Sequence, residues 1–115
     1  MDRRVVITGM GIYSCLGKTL DEVRDSLYTG KSGIIFDQER KDMGFRSALT
    51  SKLEIPDLKK ELSRQQRQFM PEQAKYAYCA TVDALRQAGL DQDFLDKNDV
   101  GLIYGNDSSA VPVVE

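Results

Sequence analysis

Four groups of residues in this chain could do chemistry: two cysteines, a glycine-punctuated apolar stretch, a run of cations and a polar turn near the C-terminus. Cys15 and Cys79 are the possible thiolate nucleophiles. Their spacing matches no metal motif, and both sit among apolar or helical neighbours, so they read as reduced, packed thiols. The chain contains no histidine. The commonest general base is therefore missing, and no Cys–His pair can be assembled from these residues.

The second group is Gly9-Met10-Gly11 within the stretch Val5 to Gly17. A dinucleotide fingerprint needs a third glycine three residues on, with a helix opening there to face the pyrophosphate. Position 14 is Ser14, and the first helix signal, Thr19-x-x-Glu22, comes about a turn too late. Asp37, after Ile34-Ile35-Phe36, could imitate the ribose-binding acid. The simpler reading is that the glycines shape a tight strand exit.

The third group is Lys59, Lys60, Arg64 and Arg67, with Glu61 alone against them. The chain as a whole carries a net charge of −2, so this basic patch is local. On charge alone it reads as a solvated helix face. Nothing in the overall charge draws the chain to nucleic acid.

The elements that must position these groups follow from patterning. Val5-Val6-Ile7 suits a short buried strand. Thr19-x-x-Glu22 is a capping box opening a helix from Leu20 to about Thr29, with Leu20, Val23 and Leu27 on one stripe and Gly30 at its C-terminal end. Ile34 to Phe36 is a short apolar segment, Asp37 to Gly44 is charged, and Phe45 to Leu53 alternates as a short strand does. Leu58 to Gln68 reads as a polar helix or surface arm. Pro71 starts a helix that ends at Ala88 with Gly89 beyond it. Ala77, Ala80, Ala84 and Ala88 share one face of that helix, and so small a face implies close approach to another backbone. The helix is expected to be central and buried. Leu90 to Lys97 is a connection, Val100 to Gly105 a second buried strand, and Asn106 to Ser109 a polar turn.

Alternation of strands and helices makes the class α/β. The 115 residues are 41% apolar and 30% charged, an ordinary globular balance. Val5 to Gly17 is too short and too glycine-rich to span a bilayer. Met1-Asp2-Arg3-Arg4 lacks a signal-peptide pattern, and the first strand leaves no room for a leader, so a cytoplasmic location without membrane contact is expected. Two strands and one alanine-faced helix do not close a core, so the chain reads as one incomplete segment, residues 1–115, of something larger.

The opening run Arg4-Val5-Val6-Ile7-Thr8-Gly9-Met10-Gly11-Ile12, with Ser14, Leu16 and Gly17, resembles the N-terminus of the β-ketoacyl-acyl carrier protein synthases. Leu27 to Ile34 resembles their turn after the first helix, and Gly44-Phe45-Arg46-Ser47 their G-M-R-S segment. Phe69-Met70, Ala88-Gly89-Leu90 and Val100 to Gly105 keep the family's order and spacing. The resemblance covers essentially the whole chain.

It implies a thiolase-like layered fold, of which this chain supplies part of the N-terminal half, and a homodimer with no cofactor or metal. It implies a decarboxylative Claisen condensation of an acyl thioester with malonyl-carrier protein, in fatty acid biosynthesis. The family's nucleophilic cysteine and two histidines fall beyond residue 115, so no catalytic residue is assigned here and the segment alone is expected to be inactive. Carrier-protein docking would fall to Arg64, with Arg67, Lys59 and Lys60 in support, because Gln65 and Gln68 stand where the family has cations. Ser108 would border the acyl pocket. A non-catalytic chain-length factor of a polyketide or aryl polyene pathway is the alternative from the same resemblance; a dinucleotide-binding module is the alternative from the glycines.

Overall fold

The computed structural model describes residues 3–107. They divide into two compact units: Tyr13–Glu54 forms one, and the residues before Tyr13 together with those after Glu54 form the other. Among the described residues no helix is long and apolar enough to cross a membrane.

The Tyr13–Glu54 unit opens on a tight turn in which Ser14 and Gly17 exchange backbone hydrogen bonds of 2.9 and 3.2 Å. Helix α1, Leu20–Thr29, follows. The Thr19 hydroxyl accepts from the Glu22 N–H, and the Glu22 carboxylate accepts from the Lys18 N–H at 2.7 Å, so donors on both sides of the helix start are satisfied. Gly30 ends α1 at φ 70°, a left-handed conformation that glycine adopts without penalty. The Ser26 hydroxyl donates to the Leu16 carbonyl at 2.6 Å and pins α1 to the turn before it.

Strands β1, Ile34–Phe36, and β2, Leu49–Ser51, pair antiparallel, with Ile34 opposite Ser51 and Phe36 opposite Leu49. Between them lies helix α2, Gln38–Asp42, where the charged stretch gave no helical expectation. Its origin is Asp37, whose carboxylate accepts from the N–H groups of Glu39 and Arg40. The base of the unit is tied by Tyr13, which donates to the Glu54 carbonyl at 2.8 Å, and by an ion pair between Lys18 and Glu54.

The other unit contains α3, Arg64–Gln68, α4, Glu72–Ala88, and α5, Gln92–Lys97. Helix α4 matches its expected bounds, and Gly89 ends it at φ 70°. Its alanine face meets backbone as the small side chains imply. A Cβ on Gly9 would come within 2.8 Å of the Ala88 nitrogen, and one on Gly11 within 2.9 Å of the Ala84 nitrogen. The Met10 N–H between them donates to the Gln87 side chain at 2.7 Å.

Four expectations are corrected. Helix α4 is half-buried along this face, and none of its residues is fully buried. Val5–Ile7 and Val100–Gly105 belong to no strand, and Val5 and Ile103 are 94% and 98% exposed. A β-branched run becomes a strand only when a second backbone takes up its hydrogen bonds, and no described residue pairs with either segment. Leu90 to Lys97 is a helix, not a plain connection, because the Asp91 carboxylate accepts from the Phe94 N–H at 2.9 Å and starts α5.

Candidate functional site

The cationic arm folds into one wall of a cleft. Leu58, 6% exposed, anchors the arm. Ahead of it, Asp57 accepts from the Lys59 N–H at 3.1 Å and stands 3.5 Å from the Lys59 ammonium. The backbone N–H of Lys59 holds the Asp57 carboxyl below its ordinary range, and the charges of Lys59 and Arg67 add to this. Ser63 opens α3 with a full capping box: its hydroxyl accepts from Gln66 N–H, and the Gln66 side chain accepts from Ser63 N–H at 2.9 Å.

Arg64 and Arg67 lie three residues apart on this short helix and so share a face. The Arg67 Nε donates to the Leu62 carbonyl at 3.1 Å, which fixes the guanidinium while leaving its terminal nitrogens available. Pro56, Asp57, Leu58, Arg64, Arg67, Gln68 and Lys75 line a cleft of about 500 Å³. Lys59 and Lys60 are exposed outside this lining, and Lys59 is turned to Asp57. Of the four cations singled out in the sequence, the cleft therefore gathers two. It also gathers Lys75, which sequence reasoning passed over. The available signal was the helix start at Pro71: it places Lys75 in the opening turns of α4, next to the arm and alone among neutral or acidic residues there.

The glycine stretch has a different role. Gly9 and Gly11 lie against the α4 backbone, so that space is filled by helix and is not open to a phosphate. The next helix starts only at Leu20. Ser14, in the third position of the imagined fingerprint, instead closes a turn, accepting from Leu16 N–H and donating to the Gly17 carbonyl.

Neither thiol has a histidine to activate it, because the chain contains none. A Cβ on Gly33 would lie 2.8 Å from the Cys15 Cβ, so Cys15 is packed against that glycine. Burial pushes the Cys79 thiol up, and the charges of Asp83 and Glu61 push it the same way. An activated thiol needs the opposite, a positive environment that favours thiolate. Among the described residues no cluster of His, Cys, Asp or Glu could hold a metal ion. Ser108 lies outside the described residues.

Comparison with known proteins agrees with this geometry. The profile of the β-ketoacyl synthase N-terminal domain matches residues 2–111. The 3-oxoacyl-[acyl-carrier-protein] synthase 1 of Buchnera aphidicola (subsp. Acyrthosiphon pisum) is 40% identical over 111 residues, which is 93% of this chain and 26% of that protein. The Escherichia coli K12 protein of the same name is 39% identical over 105 residues, 90% of this chain and 26% of its own length. The chain thus spans about a quarter of the length of these relatives. The crystal structure of a β-ketoacyl synthase from Burkholderia phymatum superposes with a TM-score of 0.70 at 28% identity, covering 80% of this chain and 23% of that one. The fold is accordingly a partial N-terminal segment of the thiolase-like α/β architecture. A match running from residue 2 to residue 111, with a superposing structure behind it, establishes that the chain belongs to the β-ketoacyl synthase N-terminal domain family.

Proposed function

We propose that the full-length protein is a 3-oxoacyl-[acyl-carrier-protein] synthase, to which this chain contributes the N-terminal part. The observation that carries the reading is the likeness to the synthases named above, 39–40% identical over at least 90% of the chain. The reaction joins an acyl thioester to malonyl-carrier protein. A cysteine thiolate takes the acyl group and the carrier thiol leaves; malonyl-carrier protein loses carbon dioxide; the resulting carbanion attacks the acyl carbon and releases the thiolate. Oxyanion stabilisation by two histidines completes the machinery. The chain has no histidine, so those groups belong to the rest of the protein. What these residues supply is support: a glycine turn held on α4 and a cationic cleft.

The partner is acyl carrier protein, an acidic protein, docking through Arg64 with Arg67, and with Lys59 and Lys60 on the approach. The full-length protein works as a cytoplasmic homodimer, and Ser108 borders its acyl pocket.

The deciding experiment incubates the full-length protein with acyl- and malonyl-carrier protein. Carbon dioxide release together with a 3-oxoacyl product is the expected result. No product alone, but altered product length when a separate active synthase is added, would replace the reading with that of a non-catalytic chain-length factor.

A further inference from the structure

We propose that Lys75 is a carrier-protein docking residue, the cation that α4 contributes to the cleft that Arg64 and Arg67 also line. The inference rests on the synthase reading above and goes beyond the residues assigned there.

The argument is one of charge balance in a defined cleft. Three cationic side chains, Arg64, Arg67 and Lys75, line it with a single carboxylate, Asp57. That carboxylate is already engaged by the backbone and ammonium of Lys59. Arg64, Arg67 and Lys75 form no ion pair among the described residues, although five such pairs occur away from the cleft. Surface cations on folded proteins ordinarily find partners or spread apart, because like charges brought together raise each other's energy. Here they are held together by structure. Arg67 is fixed by its bond to the Leu62 carbonyl, and Lys75 is carried on a 17-residue helix.

Arg67 and Lys75 are also half-buried. Partial removal from water makes their charges count for more than those of the exposed Lys59 and Lys60. Cations from two helices, α3 and α4, lining one cleft fit an anionic ridge entering it. The carboxylates along an acidic helix of a carrier protein have that chemistry, and cations on two helices define the angle of approach as those on one would not.

The test is a titration of the full-length protein with acyl carrier protein at low and at physiological ionic strength, using Lys75→Ala, Gln68→Glu and Arg64→Glu. Lys75→Ala is expected to raise Kd about two- to fivefold at low salt and to flatten the salt dependence, the range typical of one exposed charge pair. Gln68→Glu leaves Lys75 intact but puts an acid in the same cleft, and is expected to weaken binding in the same way. It guards against the chance that Lys75→Ala perturbs α4, which circular dichroism checks directly. If Arg64→Glu weakens binding while a folded Lys75→Ala does not, the Lys75 inference is overturned and the docking reading stands, whatever Gln68→Glu does. If none of the three changes affinity, both are overturned.

Discussion

Gly11 lies so close to Ala80 that a side chain on one would run into the backbone of the other: a Cβ on Gly11 would come within 2.8 Å of the Ala80 carbonyl carbon. Glycine at 11 and alanine at 80 are thus two halves of one packing contact, and the same holds for Gly9 with Ala84 and Ala88. Backbone atoms of a helix cannot rotate aside as a long side chain can.

Gly11→Ala is therefore expected to destabilise the full-length protein by about 1–3 kcal/mol, the usual cost of overpacking a close contact. Chemical denaturation reads this as a lower midpoint at unchanged slope. Equal stability of Gly11→Ala and the natural protein would mean that helix and loop can part at no cost, and that the contact does not hold them together.

This contact also marks what the sequence made legible. The alanine spacing foretold a backbone neighbour for α4, and the two glycines were visible as places where a chain can come close. What joined them was not visible, since nothing local at Gly9 names a helix some seventy residues away. The helices with strong ends, α1 and α4, were readable from Thr19, Gly30, Pro71 and Gly89. The short ones, α2 and α5, were hidden because each depends on one aspartate cap, Asp37 and Asp91, inside a charged stretch that looks like loop. Of the cleft, the α3 wall could be read from its charge run. Lys75 was passed over although Pro71 placed it in the first turns of α4, because only the fold puts it in one cleft with Arg64 and Arg67.

The Lys18–Glu54 pair gives a prediction in pH. The hydrogen bond from Lys18 holds the Glu54 carboxyl below the ordinary glutamate range, and the same bond raises Lys18. A carboxyl depressed in the folded state favours folding above its unfolded pKa, and that contribution disappears as pH falls through the folded pKa. The pair should therefore hold at neutral pH and be lost only on the acid side of the normal glutamate titration. Carboxyl carbon shifts of Glu54 in an NMR titration report it directly. Lys18→Met should return Glu54 to ordinary behaviour; an identical midpoint in both proteins would show that the pair does not form in solution.

The 115-residue chain by itself should release no carbon dioxide from malonyl-carrier protein, since it has no histidine and its Cys79 thiol is pushed up by burial. It should also self-associate. Val5, Tyr28 and Ile103 are 94%, 86% and 98% exposed, and apolar surface without partners promotes association. Sedimentation and a thermal scan test this together, and a monomer with a cooperative transition would contradict it.

Ser108 carries a prediction about substrate length. It stands in the polar sequence Gly105-Asn106-Asp107-Ser108-Ser109. If its side chain borders the acyl pocket, Ser108→Phe in the full-length protein should cut activity on long acyl chains far more than on acetyl or butyryl primers. A uniform loss along the series would remove Ser108 from the pocket.

Cys79 offers the sharpest check on which thiol does chemistry. Its thiol is raised by burial first, and then by the charges of Asp83 and Glu61. It should alkylate slowly with iodoacetamide at neutral pH and faster only as pH rises past the ordinary thiol range. A condensing-enzyme nucleophile behaves oppositely, because it must be thiolate at the pH of turnover. Cys79→Ser in the full-length protein should accordingly retain condensation activity, and substrate should not protect Cys79 from alkylation. Rapid labelling of Cys79 at neutral pH, with activity lost in proportion, would instead make α4 the carrier of a reactive thiol and overturn its reading as a packing residue.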